Sequence, residues 1–154
     1  MNIKGDFLNY HLAESELRDI ISTNDASTLF KVVDYLYEKF NNYSWIGIYL
    51  VEGDDLVLGP WRGPHATGHT KIPIGKGICG SAAASGKTEV IADVNVDNRY
   101  LSCFISTKSE IVVPIKKDNK ILGEIDIDSD VKDAFTNEDK EFLEKIADML
   151  GKHI

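Results

Sequence analysis

The sequence predicts an α+β fold in which helices near the two ends of the chain flank an antiparallel sheet. Apolar residues recur at helical spacing near both ends, whereas the middle of the chain holds β-branched and alternating segments joined by short turns. Strands joined by short turns pair as antiparallel hairpins. The predicted order is helix, helix, strand, strand, short helix, strand, strand, strand, helix, which is typical of an α+β sandwich.

Two helices are predicted before the first strand. Residues 13–21 place apolar side chains on one face of a short helix, and residues 26–40 form a longer amphipathic helix that Asn24 or Asp25 can cap. Both helices are predicted to pack on the sheet as part of the scaffold. The apolar stripe of the second helix comprises Leu29, Val32, Val33, Leu36, Tyr37 and Phe40.

A hairpin and a small-residue helix are predicted next. The aromatic and β-branched residues 44–51 indicate a buried strand, and residues 55–61 indicate the strand that returns from the turn. Residues 62–71 form a loop. A Gly-Lys-Gly turn then opens a helix at residues 78–85, which Gly86 ends in the position of a C-cap glycine.

The last third of the chain predicts three strands and a closing helix. A short strand at residues 88–91 is followed by a long connection, 92–108, and connections of this length are usually functional. Residues 109–115 and 121–129 form a second hairpin. Residues 137–151 repeat apolar side chains at helical spacing and predict the final helix.

The composition is that of a folded globular domain with an excess of acid. Of the 154 residues, 43% are hydrophobic and 27% charged, and the formal net charge is −8. These values exclude the disordered, collagen-like and membrane-spanning classes. The acidic balance argues against partners such as nucleic acid or an anionic membrane, which require a basic surface. The N-terminal segment has no apolar signal-peptide core, so we expect a cytoplasmic protein.

Acidic residues alternate with isoleucines in the last predicted strand. The period of a strand places Glu124, Asp126 and Asp128 on one face, and Glu110 of the preceding strand can share that face if the register allows. One interpretation is that the isoleucines face the core and the acids face water. The other is that the row of like charges binds a cation, either a metal ion or an ammonium group. If such a site is partly buried, one acid keeps its proton and can donate it.

The two cysteines are too few for a disulfide framework. Cys79 lies in the first turn of the small-residue helix, where the helix dipole favours a thiolate, and Cys103 lies in the long connection. Two interpretations stay open at this point. The cysteines are either small buried side chains or a redox pair.

A glycine-rich turn and a pair of histidines are two further patterns of the kind found in binding sites. The turn Gly75-Lys76-Gly77 either binds an anion through backbone N–H groups or lets the following helix pack closely. His65 and His69 lie in a glycine-containing loop rather than on one helix face. We therefore expect no metal site there.

Several ordered motifs resemble those of the free methionine-(R)-sulfoxide reductases, which are single-domain proteins of the GAF fold. The resemblance covers about residues 44–129. It implies one GAF domain over residues 1–154, an α/β/α sandwich with a central antiparallel sheet, and a ligand pocket on one sheet face beneath residues 92–108. The motifs are SWIGIYL, LVLGPWRG, IPIGKGICGSAAASGKT, DVNVD, CFISTKSEIVVPI and ILGEIDIDS.

The resemblance also implies roles for individual residues. Cys103 matches the catalytic cysteine of the family, and Cys79 matches the cysteine of its glycine-rich turn. The residues that match the substrate-binding side chains are Glu110, Asp126, Asp128, Trp45 and Tyr49.

The chain departs from better-known members of this family at two positions. His69 stands where they have a third cysteine, which resolves the oxidised catalytic cysteine, and Phe104 stands where an aspartate is common. The chain therefore resembles a two-cysteine variant. In such a variant either Cys79 or an external thiol must take the resolving role.

The function implied by the resemblance is reduction of free methionine-(R)-sulfoxide through a cysteine sulfenic acid and a disulfide, with a thioredoxin-like reductant and no metal or organic cofactor. A monomer and a homodimer both stay open. The alternative is a non-catalytic GAF module that binds a small molecule or senses redox state, because a fold alone does not determine function.

Overall fold

The computed structural model describes residues 9–102 and 104–154, which contain a six-stranded antiparallel sheet and four α-helices. Within these ranges no helix has the length and apolar character needed to cross a membrane. The helices are α1 (Tyr10–Thr23), α2 (Thr28–Lys39), α3 (Gly77–Ser85) and α4 (Asn137–His153). The strands are β1 (Trp45–Glu52), β2 (Asp55–Arg62), β3 (Lys71–Pro73), β4 (Glu89–Ile91), β5 (Ser109–Lys117) and β6 (Lys120–Ser129).

The strands follow the order β3-β2-β1-β6-β5-β4, so β1, β6 and β5 form the centre of the sheet. The three longer helices α1, α2 and α4 pack on one face, where they bury Ile125 and Ile127 of β6. Helix α3 packs on the other face, where Cys79 and Ala82 lie against Val112 of β5. The predicted α+β sandwich with a central antiparallel sheet is therefore confirmed.

Close approach explains why α3 consists of small residues. A Cβ atom at Gly80 would lie 2.6 Å from the carbonyl oxygen of Pro73, so a larger residue would push the helix away from β3. Gly75 and Gly77 both have positive φ angles, 98° and 71°, which only glycine adopts without strain. The Gly-Lys-Gly turn thus brings α3 onto the sheet.

Helix α4 is anchored at both ends. At its start Thr136 accepts a hydrogen bond from the Asp139 amide at 3.2 Å, and Asp139 accepts one from the Thr136 amide at 2.8 Å, which completes a capping box. The other Asp139 carboxylate oxygen accepts from the buried Tyr43 hydroxyl at 2.6 Å. Near its end, a Cβ atom at Gly151 would overlap the carbonyl oxygen of Lys116, so the helix backbone packs directly on β5.

Two local predictions are wrong. Neither Asn24 nor Asp25 caps α2: its N-cap is Ser27, which makes no side-chain cap bond. Asn24 instead ends α1 in the left-handed conformation, and the Asp25 carboxylate accepts hydrogen bonds from the Ser27 amide and hydroxyl. Strand β3 was not predicted, because three residues are too short to show a strand period.

Candidate active site

The register of the central strands brings the acidic residues together. Asp128 of β6 lies between Trp45 of β1 and Glu110 of β5, each its direct cross-strand partner. Asp126 and Glu124 follow at two-residue steps on the same face of β6. Glu110 therefore lies on the acidic face, as the sequence predicted for one of the possible hairpin registers.

All four acids are buried. The exposed fractions of Glu110, Glu124, Asp126 and Asp128 lie between 0% and 6%. The interpretation in which these acids face water is therefore wrong. It fails because the sheet is covered on both faces, by the three longer helices on one side and by α3 and the loops near it on the other.

Burial controls the protonation of the acids. It raises the pKa of Glu110 and Asp128 well above the usual range, and the charge of Asp126 raises both further. It also raises the pKa of Asp126, although hydrogen bonds from Glu110 and Cys79 oppose that rise. The row therefore retains protons to higher pH than exposed carboxyl groups would.

The acid row has acceptor atoms that no described residue satisfies. Both carboxyl oxygens of Glu124 and one oxygen each of Asp126 and Asp128 are buried without a hydrogen-bond partner in the described chain. None of the ion pairs formed among residues 9–102 and 104–154 involves these acids. Buried polar atoms nearly always have a partner, and a cation, a donor from a ligand or a bound water can supply it here.

Cys79 lies against the acid row. It is buried in the first turn of α3, and its thiol approaches Glu110 Oε2 at 3.9 Å. Ligand atoms of Cys79, Glu110 and Asp126 lie within 4.8 Å of one another, a spacing that either a metal ion or an ammonium group can bridge.

The prediction that the helix dipole favours a thiolate at Cys79 is wrong. Burial raises the pKa of its thiol well above the usual value, and the neighbouring acids, Asp126 and Glu124 first among them, raise it further. Desolvation and the charges of four acids raise the pKa of this thiol more than the dipole of one short helix lowers it.

Sequence reasoning placed Glu124 in the acid row, but the resemblance assigned it no individual role. The structure shows that Glu124 is fully buried beside Asp126 and Cys79, and that its cross-strand partner on β1 is Tyr49. The signal was available in the strict alternation of acids with isoleucines. That alternation placed Glu124 on the binding face as firmly as the two aspartates.

Aromatic side chains lie at both ends of the acid row. The Trp45 ring is stacked on Trp61 at a centroid distance of 6.2 Å and contacts the Phe104 ring at 5.9 Å. Further along β1, the Tyr49 hydroxyl donates a hydrogen bond to the His69 carbonyl oxygen at 2.7 Å. Trp45 and Tyr49 thus mark the two ends of the row, next to Asp128 and Glu124 respectively.

A narrow cleft leads to the Trp45 end. Trp45, Asp128, Phe104 and His65 line it, and its volume of about 20 Å³ is close to that of one water molecule. The cleft in this structure is therefore smaller than a free amino acid. Cys103 lies outside the described residues, so its catalytic role stays a prediction.

Ser102, which precedes Cys103 in the sequence, lies close to His69, the residue at the position of the family's third cysteine. The Ser102 carbonyl oxygen lies 3.4 Å from His69 Nε2. Residue 69 therefore lies next to the segment that holds Cys103 in the sequence.

A larger cavity, of about 480 Å³, lies between α4 and the ends of α3 and β5. Its charged lining residues include Lys116, Lys140 and Glu144. It contains neither the buried acids nor a cysteine, so we assign the candidate site to the acid row.

Comparison with known proteins gives consistent matches. A family model described as GAF domain matches residues 26–154. The free methionine-R-sulfoxide reductase of Escherichia coli (strain K12) is 40% identical over 130 residues, which cover 84% of this chain and 78% of that protein. The protein of the same name from Saccharomyces cerevisiae is 37% identical over 146 residues, covering 92% and 78%.

A solved structure extends the match to three dimensions. The free methionine-R-sulfoxide reductase of Neisseria meningitidis in complex with its substrate superposes with a TM-score of 0.87 at 34% sequence identity. The match covers 94% of this chain and 87% of that one.

Proposed function

The chain belongs to the GAF-domain family and, within it, to the free methionine-(R)-sulfoxide reductases, and from this premise we propose that it reduces free methionine-(R)-sulfoxide to methionine. The observation that carries the proposal is the row of buried acids that starts beside Trp45 and Phe104. Phe104, the residue after the predicted nucleophile in the sequence, contacts Trp45 at the start of this row.

The acid row supplies the recognition of a free amino acid. Glu110, Asp126 and Glu124 offer buried carboxyl oxygens to the α-ammonium group, and a charge-assisted hydrogen bond to such a group is stronger than a neutral one. A methionine sulfoxide inside a polypeptide has no free ammonium group. It would leave these oxygens unpaired, so we expect it to be a poor substrate.

The first chemical step is attack by the Cys103 thiolate on the sulfoxide sulfur. The cysteine sulfur first bonds to the sulfoxide sulfur. The protonated oxygen then passes to the cysteine sulfur as the sulfur–sulfur bond and the sulfur–oxygen bond of the substrate break. One proton is taken up by that oxygen. The products are methionine and the Cys103 sulfenic acid. We assign the proton to Asp128, since it lines the cleft with Phe104 and burial raises the pKa of its carboxyl group.

The second step restores the nucleophile. A thiol condenses with the sulfenic acid, which gives a disulfide and one water molecule, and a thioredoxin-like dithiol then reduces that disulfide by exchange. Cys79 and an external thiol are the two candidates for the condensing group. Because burial and neighbouring acids raise the pKa of Cys79, its thiol needs a base, and Glu110 lies within reach at 3.9 Å. This cycle consumes thiol reductant, which suits a cytoplasmic location.

The test is a reductase assay on the full chain with the (R) and (S) epimers of free methionine sulfoxide. Dithiothreitol and thioredoxin serve as alternative reductants, for the wild type, Cys103→Ser and Cys79→Ser. We expect turnover of the (R) epimer that is lost in Cys103→Ser. Loss of only the thioredoxin-supported rate in Cys79→Ser would identify the resolving thiol. Absence of turnover in the wild type with both reductants would overturn the proposal and favour a binding module.

A matched substrate control tests the role of the acid row. The N-acetylated amide of methionine sulfoxide keeps the sulfoxide but lacks the ammonium group and the carboxylate. We expect its kcat/KM to fall by at least a hundredfold relative to the free amino acid, since each lost charge-assisted hydrogen bond contributes about 1.5–3 kcal/mol. Equal turnover of both compounds would contradict the assignment of the acids.

A further inference from the structure

The indole N–H of Trp45 is a buried donor without a partner. The side chain is 3% exposed, and no acceptor of the described chain lies within hydrogen-bond distance of Nε1. Buried polar groups in folded proteins nearly always have a partner, so an unpartnered donor in a binding cleft needs an explanation. A ligand atom that accepts a hydrogen bond is one such explanation.

Two glycines fix the position of this ring. A Cβ atom at Gly47 would lie 2.5 Å from Trp45 Cη2, and a Cβ atom at Gly63 would overlap Trp45 Cδ1. Trp61 stacks on the ring with an interplanar angle of 14°. Because the ring is held between these neighbours, the direction of its N–H is set before any ligand binds.

The ring lies at the reacting end of the proposed site. It lines the cleft with Phe104, the residue that follows Cys103, and its cross-strand partner is Asp128. The aromatic donor and the acid to which we assign the proton therefore belong to the same end of the acid row.

The chemistry of the substrate limits which atom can accept this hydrogen bond. The ammonium group is a donor only, and the thioether sulfur of methionine is a weak acceptor. Asp128, the direct cross-strand partner of Trp45, donates its proton to the sulfoxide oxygen in the proposed first step, so that oxygen lies at the Trp45 end of the acid row. The sulfoxide oxygen is a strong acceptor without net charge, so it fits beside both groups.

We infer that the Trp45 indole N–H donates a hydrogen bond to the sulfoxide oxygen and thereby distinguishes the substrate from its product, methionine. This inference rests on the proposed function and assigns a specificity-determining contact within it. The bond holds the oxygen on the side of Asp128, the acid to which we assign the proton.

The test compares the binding of two ligands and removes the hydrogen of the indole N–H group. In a Cys103→Ser background, which prevents turnover, Trp45 is replaced by 3-benzothienylalanine, in which sulfur stands for the indole N–H in a ring of the same shape. Dissociation constants are measured for methionine-(R)-sulfoxide and for methionine. We expect the sulfoxide to bind about tenfold more weakly, in line with one lost hydrogen bond, and methionine to bind within about twofold of the unmodified protein.

Tyr35→Phe, which removes a hydroxyl donor that bonds to Glu16 on the helix-covered side of the sheet, is the control and leaves both dissociation constants unchanged. Equal weakening of both ligands would overturn the inference, since it would place the N–H on the carboxylate that they share. No change for either ligand would also overturn it and assign the N–H to a bound water. Failure of the unmodified Cys103→Ser chain to bind either ligand would overturn the proposed function itself, and is recognised before Trp45 is changed.

Discussion

Glu110 of β5 and Asp128 of β6 are direct cross-strand partners, and both carboxyl groups are buried. Two carboxylates at this spacing in a low-dielectric site cannot both ionise without a large cost. Glu110 is flanked by the charge of Asp126 as well, which raises the pKa of the Glu110 carboxyl further. The pair therefore keeps at least one proton available where the substrate sulfoxide is expected.

Replacing Asp128 by asparagine tests its role as the proton donor. The amide keeps the shape but has no acidic proton, so we expect Asp128→Asn to lower kcat by about a hundredfold or more. The measurement is steady-state reduction of methionine-(R)-sulfoxide with dithiothreitol. Glu52→Gln, at an exposed position at the end of β1, serves as the control and keeps the wild-type rate. A kcat for Asp128→Asn within twofold of the wild type would assign the proton to another group.

Burial of the acids makes the ligand-free protein less stable as the pH rises. The pKa of Glu124 is raised in the folded state, first by burial and then by the charge of Asp126. This contribution to stability is therefore full below the unfolded pKa of about 4.3 and is lost as the pH rises through the folded pKa.

The substitution Glu124→Gln removes that contribution to the pH dependence. Between pH 5 and pH 8 we expect the free energy of unfolding to fall less steeply in Glu124→Gln than in the wild type, by up to about 1.4 kcal/mol per pH unit. Urea titrations at several pH values measure the slopes, and Glu52→Gln should reproduce the wild-type slope. Parallel curves for Glu124→Gln and wild type would contradict a raised pKa at Glu124.

The contact between Gly63 and the Trp45 ring gives a steric prediction. In Gly63→Ala the new methyl group overlaps the indole, whereas a Cβ atom at Gly68 in the same loop meets nothing within 4 Å. We expect Gly63→Ala to raise KM for methionine-(R)-sulfoxide at least tenfold and Gly68→Ala to leave it unchanged. Tryptophan fluorescence reports the ring displacement independently. Equal kinetics for the two variants would show that the position of the ring does not matter.

His69 can be replaced by the cysteine that better-known members of the family have at this position. His69 Nε2 lies 3.4 Å from the carbonyl oxygen of Ser102, which precedes Cys103. We expect His69→Cys to form a disulfide with Cys103 after one turnover, detectable by mass spectrometry without reductant, and to raise the thioredoxin-supported rate several-fold. Thr70→Cys is the neighbouring control and should form no such bond. Absence of the 69–103 disulfide would disagree with this placement of the loop.

A shared acceptor in the core predicts unequal costs for two tyrosines. Tyr43 and Tyr10 donate to the same Asp139 oxygen, at 2.6 Å and 3.3 Å, but only Tyr43 is fully buried. We expect Tyr43→Phe to lower the free energy of unfolding by about 1–3 kcal/mol, and Tyr10→Phe by less than 1 kcal/mol. Urea denaturation compares the two. A larger loss in Tyr10→Phe would reverse the assignment of the stronger bond.

Most of the fold was predictable because its elements carry their own patterns. Strands β5 and β6 are long and regular, and the final helix has a clear apolar stripe, so all three were found within about two residues of their ends. The residue that caps α2 was not found, since Asp25 bonds locally to Ser27 rather than to the helix. Local sequence cannot show which of several polar residues will cap a helix.

The candidate site was only half predictable. Alternation placed the acids on one face of β6, but the sequence left open whether that face meets water. The answer depends on α3, a segment about forty residues earlier in the chain whose small residues let it cover the sheet. The raised pKa of Cys79 has the same origin. Such long-range burial cannot be read from a short segment of sequence.

Gly151 leaves α4 no side chain where it meets the carbonyl of Lys116, so helix and strand are in direct backbone contact. The opposite face of β5 carries Glu110, so the strand that contributes to the pocket floor is supported from behind by its packing on α4. Ligand binding then loses little conformational entropy in the floor, and any ordering cost falls on the loops at the rim. Affinity for the ligand can therefore be tuned by the rim loops while the acid row stays fixed.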